Sequence, residues 1–223
     1  MNFLSHFYFD QQSADPNFVL GLVLPDLAKN FDKTWNIHPH LVEDQLLKNK
    51  KLKSVYLGWQ RHLLVDKLFH SSPFFEEKTA ELKKLITPLM EDSPVRPFIL
   101  AHIALELLLD NLLIDTEKVE VADFYRNLES ADRDNIVQFL AINSIEQPQT
   151  FFNFFDKFNE HKYLYSYTDL DKLVYALNRI CYRIWKSDFS EEATIHLQKT
   201  LNQYKNTLKP DFMSIFKNIQ SQL

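Results

Sequence analysis

A chain of 223 residues with 45% hydrophobic content can bury a full core, and it reads as one helical domain spanning residues 1–223. Two glycines in the whole sequence leave no phosphate-cradling loop, which excludes the dinucleotide and P-loop nucleotide folds. A formal net charge of -5 and a pI near 5.9 argue against nucleic acid as a partner, because phosphate backbones are bound by clustered Lys and Arg.

Apolar residues recur at intervals of three and four with little strict alternation, so the expected fold is an all-α bundle. Asp15-Pro16 predicts the start of a helix that carries Leu20, Leu24 and Leu27 inward, with a kink or early break at Pro25 just before Asp26. His38-Pro39-His40 reads as a loop entering a long helix from Leu41 to His70, which Ser71-Ser72-Pro73 ends. Helices are then expected over Phe74 to Met90 and Pro97 to Leu113, followed by a polar link from Asp115 to Glu120. Further helices are predicted over Val121 to Leu128, Ala131 to Ile142 and Gln149 to His161. Thr168-Asp169 opens one that runs through Cys181 to Trp185, and Ser190-Glu191-Glu192 caps the last. Cys181, the only cysteine, rules out an internal disulfide and a cysteine zinc site; among Leu177, Ile180 and Ile184 it reads as core, and an unbridged chain suits the cytoplasm. No signal peptide is expected, since His6 and Asp10 interrupt the first apolar residues. The run Phe98 to Ile114 reads as too short and too ionisable to span a membrane.

Ionisable groups at four-residue spacing carry the chemistry. His62, Asp66 and His70 form one such series, and His102, Glu106 and Asp110 a second inside an apolar run. Residues four apart share a helical face, but each step rises about 6 Å and drifts about 40°, so one ion cannot easily collect a whole series. The first two of each, His62 with Asp66 and His102 with Glu106, are therefore the expected metal ligands, converging on one cavity. Taken alone, His62 and Asp66 also fit an ordinary hydrogen-bonded pair on a solvated face. His102 and Glu106 fit that reading less well, because burying them among leucines requires a partner such as a cation. Asp110 is placed at the exposed end of its helix with Asn111, and His70 at a helix C-terminus favoured by the dipole. A His, Asp and Glu set without cysteine suits Mn, Fe, Ni or Zn, and such an ion polarises a phosphoryl oxygen and activates water. Gly21 and Gly58 lie near these groups, where either close helix packing or the approach of a ligand would exclude a side chain. Lys48, Lys50, Lys51, Lys53, Arg61 and Lys67 read as a solvated face that could also meet a phosphate or an acidic protein. Phe151, Phe152, Phe154 and Phe155 read as core.

The opening Met1-Asn2-Phe3-Leu4-Ser5-His6, the pair Gly21 and Asp26, and the series Gly58, His62, Asp66 together resemble the acyl carrier protein phosphodiesterases, relatives of the HD-type metal phosphohydrolases. The resemblance implies an HD-like helical fold, a divalent ion with manganese the usual suggestion, and hydrolysis of the phosphodiester joining 4'-phosphopantetheine to a serine of acyl carrier protein. It places His6, Asp26, His62 and Asp66 at the metal centre. Asp26 and His6 would complete the shell or orient the attacking water, and Asp26, set after a predicted helix break where it could face a cleft, is the expected general base. The chain departs from the family at Leu63, where arginine is usual, at Phe69-His70 in place of Thr-Asp, and at His102, Glu106 and Leu107 in place of Asp, Asp and His. Those departures keep two alternatives open: another small phosphoester as substrate, or a helical binding protein without chemistry.

Overall fold

A computed structural model describes all 223 residues, and every regular element in it is helical. In chain order these are α1 Phe3–Phe9, α2 Pro16–Phe31, α3 Glu43–Leu46, α4 Lys50–His70, α5 Pro73–Ile86, α6 Pro97–Asp115, α7 Val121–Ser130, α8 Arg133–Ile142, α9 Phe151–His161, α10 Leu170–Trp185, α11 Glu191–Leu208 and α12 Met213–Gln220. Short 3-10 turns at Pro39–Val42, Thr87–Met90, Pro148–Thr150 and Tyr163–Thr168 complete the set. The chain divides into two compact units, one of Met1–Ser5, Lys67–Lys118 and Leu164–Leu223, the other of His6–Asp66 and Val119–Tyr163.

In the second of these, Asp15 caps α2 through one carboxylate oxygen, accepting from the N–H groups of Asn17 and Phe18, and through the other takes the hydroxyl of Ser54 on α4. Of the kink or early break expected at Pro25, the break does not occur: α2 runs on to Phe31. The proline leaves the Gly21 carbonyl without its i+4 donor, but α2 is buried continuously from Val19 to Pro25, and that packing outweighs one lost bond. The predicted long helix from Leu41 is also corrected. Asn49 accepts from the N–H groups of Lys51 and Leu52 and so starts α4 afresh after a 3-10 turn and the short α3.

The two glycines meet where α2 crosses α4. A Cβ at Gly21 would strike the Val55 carbonyl oxygen and lie 2.9 Å from the Gly58 Cα, and one at Gly58 would strike the Phe18 carbonyl oxygen. Close helix packing is therefore what excludes a side chain here, backbone against backbone. Aromatic contacts close the same core: Phe7 edges onto Phe124 at 5.5 Å, Trp59 lies 5.7 Å from Phe139, and Phe31 meets Phe151 at 5.7 Å.

In the other unit α6 is the central helix, packed by α5, α10 and α11. By length and apolarity alone Pro97–Asp115 could cross a membrane, contrary to the shorter run read from the sequence; 61% of its most apolar 18-residue stretch is buried inside the protein, as in a core helix. Cys181 of α10 is fully buried beside Leu177 and Val174, and burial pushes its thiol up to about 12.

Asp110 and Asn111, expected at an exposed helix end, are both fully buried. Asn111 donates to the Tyr167 carbonyl at 2.5 Å. Asp110 instead serves as the N-terminal cap of α1: its carboxylate accepts from the N–H groups of Leu4 and Ser5 at 3.1 and 2.8 Å, from the Ser5 hydroxyl at 2.6 Å and from the Asn2 amide at 2.9 Å. Burial pushes this carboxyl up to about 7, against the pull of those donors. Between its ordinary value of 3.8 and about 7 the folded state keeps a proton that the unfolded chain has released, so this group's contribution to stability falls as pH rises through that window. The expected slope is up to about 1.4 kcal/mol per pH unit. Urea titrations across the window should show that slope in the difference between the parent chain and Asp110→Asn; parallel curves would mean the carboxyl titrates normally.

Candidate metal centres

The glycine contact sets the first site. With α4 held against α2, His62 lies one turn beyond Gly58 and its Nδ1 comes 2.7 Å from the Leu22 carbonyl. A carbonyl only accepts, so Nδ1 carries the proton, and the Nε2 lone pair of the neutral ring is turned to the other side. There Nε2 faces Asp66 Oδ2 at 3.4 Å and Asp26 Oδ1 at 3.9 Å. His6, carried on α1, stacks on His62 with centroids 3.9 Å apart and brings its own Nε2 to 3.2 Å from Asp66 Oδ1. His6, His62 and Asp66 thus place three donor atoms together.

The electrostatics follow from this crowding. Burial, reinforced by neighbouring His62, drives the His6 imidazole down to about 3 despite Asp66, so it is neutral near pH 7. Burial also opposes charge on His62, but Asp26 and Asp66 prevail and hold it above its ordinary value. Desolvation of Asp66 is outweighed by both imidazoles, which keep its carboxyl far below the usual range. His6 is 1% exposed, and neither of its ring nitrogens makes an aligned hydrogen bond; its approach to Asp66 has the distance of one without the geometry. A buried imidazole left in that state, beside a second whose tautomer is fixed and a carboxylate with one oxygen toward each, fits a divalent cation.

A second group lies in the other unit. His102 and Glu106, one turn apart on α6, meet His70 from the last turn of α4: His102 Nε2 is 3.0 Å from Glu106 Oε1, and His70 Nε2 is 3.2 Å from that oxygen and 3.1 Å from His102 Nε2. The Met1 amine lies 3.1 Å from the same Glu106 oxygen. Burial would raise Glu106, but the amine, His102 and His70 hold it well below its ordinary value.

The sequence gathers His62, Asp66, His102 and Glu106 at one centre; the structure keeps each pair intact and distributes them over two groups, each with a third member. His6 joins the first. His70, read as a helix cap, joins the second, and that partnership was missed because it comes from another helix. Asp26 borders the first group with its side chain 35% exposed. Two of the basic residues are already engaged, Lys51 with Asp132 at 2.6 Å and Arg61 with Asp10 at 3.3 Å.

The chain is thus an all-helical protein with two groups of imidazole and carboxylate donors, each of a kind that could hold a cation. The chain belongs to the acyl carrier protein phosphodiesterase family, whose model matches residues 1–219. Membership implies a hydrolase, a phosphodiesterase acting on acyl carrier protein. No curated protein and no solved structure matches the chain.

Proposed function

We propose that the chain is a metal-dependent phosphodiesterase that hydrolyses 4'-phosphopantetheine from holo-acyl carrier protein in the cytoplasm, acting on the carrier protein of fatty acid biosynthesis. The observation that carries the metal dependence is the buried His6, whose ring nitrogens lack aligned hydrogen bonds beside the fixed Nε2 of His62 and the carboxylate of Asp66. His6, His62 and Asp66 would hold the ion, manganese by family resemblance, with Fe, Ni or Zn equally suited to these donors. When bound, the ion supplies Lewis-acid stabilisation of the phosphoryl oxygens and lowers the pKa of water. Asp26 lies 3.9 Å from His62 Nε2, beyond direct hydrogen bonding, with its side chain 35% exposed. Asp26 takes the proton of the attacking water as oxygen adds to phosphorus; the P–O bond to the carrier serine breaks, the serine oxygen takes a proton from solvent and leaves as the apo-protein, and Asp26 returns its proton to solvent as 4'-phosphopantetheine departs.

A second reading, a binding protein that retains the fold without chemistry, is favoured by one observation. Leu63, where the family usually has arginine, is 53% exposed and offers no charge to a phosphate.

Holo-acyl carrier protein incubated with the chain and Mn²⁺, then weighed intact, should lose its prosthetic arm, and a chelator should stop the loss. A stable complex of unchanged mass would favour the binding protein instead. Turnover of a small phosphodiester with the carrier protein left intact would shift the substrate, not the chemistry.

A further inference from the structure

We infer that His70, His102 and Glu106 form a second, separate cation site, one that takes an imidazole-binding first-row divalent ion on three protein donors and leaves its remaining positions open. The three donor atoms make a closed triangle with edges of 3.0, 3.1 and 3.2 Å. For bonds of about 2.1 Å, donors on one octahedral face stand about 3.0 Å apart and tetrahedral donors about 3.4 Å apart, and the triangle falls between. Protons satisfy it poorly. With one ring protonated at Nε2, its single hydrogen points to only one of two neighbours; with both protonated, two N–H groups face each other across 3.1 Å. A cation above the triangle meets all three lone pairs at once.

The surroundings hold the donors in place. Phe75 of α5 packs edgewise on both imidazoles, with centroids 4.9 Å from each at 85° and 79°, so the two rings share one apolar wall. The side chains of His70 and His102 remain 32% and 31% exposed, so an ion would be reachable by water or a small ligand, the open form of a site rather than the closed structural one. Two neutral imidazoles and one carboxylate bring a single negative charge, which leaves a bound dication with net positive charge and a preference for anionic ligands. The Met1 amine, at the same Glu106 oxygen, is the contact an ion would have to displace or share. The site stands whether or not the His6, His62 and Asp66 centre is hydrolytic.

Cobalt(II) is the probe, because its visible absorption reports nitrogen ligation and coordination number independently of turnover. The metal-stripped full chain should bind about two equivalents, each ion adding its own spectral component, and His102→Gln and His62→Gln should each bind about one. The double variant should bind none. Retention of full stoichiometry in His102→Gln would overturn the site, as would a single equivalent in the parent chain that either substitution abolishes, since that pattern means one shared ion. Circular dichroism checks that each variant folds; should His102→Gln fail, Glu106→Gln, which removes the carboxylate charge at constant shape, is read by the same criteria.

Discussion

Asp66→Asn is expected to lose both metal and turnover, whereas Asp26→Asn should keep the metal and lose only turnover. Asp66 gives one oxygen to His6 and the other to His62, so an amide in its place forfeits the charge and turns an N–H₂ group toward one imidazole nitrogen. Affinity for the ion should fall by more than about a hundredfold, the upper end of what losing a mere outer-shell partner costs. Asp26 stands farther off, 3.9 Å from His62 Nε2, where a water molecule can come between. Its loss as proton acceptor should lower kcat by about 10²–10⁴-fold. Metal titration and kcat measured on both variants make the comparison; an Asp26→Asn enzyme working at full rate would remove that residue from the chemistry.

Gly58→Ala should disable the same centre from behind. The added methyl meets the Phe18 carbonyl and lies 2.8 Å from the Gly21 Cα, and backbone atoms cannot swing aside as a flexible side chain would. Overpacking of this kind costs up to about 3 kcal/mol or more, while alanine's better helix propensity returns about 1 kcal/mol, so a net loss of about 2 kcal/mol is expected. Urea denaturation measures it. A second effect is diagnostic: parting α2 from α4 draws His62 Nδ1 away from the Leu22 carbonyl 2.7 Å away and frees the tautomer, so metal affinity falls even in the fraction that folds. Unchanged stability would mean that the helices pass less closely than described.

Local signals were largely legible in the sequence. Asp15-Pro16, Asp169 and Ser190 each begin a helix as their side-chain chemistry predicts, because a cap acts within its own first turn. Asn49 obeys the same rule and was readable, but the periodicity running from Leu41 to His70 masked it. What depends on distant partners was not legible. Asp110 looks like a residue at an exposed helix end until the N–H groups of Leu4 and Ser5, more than a hundred positions away, come to it. Pro25 looks like a break until the burial of α2 around it is known. At the sites, helical spacing found both pairs, since i and i+4 share a face whatever the fold, yet it could not say that each pair recruits a different third imidazole. His70 did leave one trace: the family resemblance sets a histidine where an acid is usual, an exchange of one donor for another.

The lone thiol of Cys181 gives the molecule an internal clock. Reagents that attack thiolates find it shut away from water and held protonated, so alkylation proceeds only in moments when α10 lifts from its neighbours. Its labelling rate therefore counts those openings directly, with no engineered reporter and no competing sulfhydryl elsewhere in the chain.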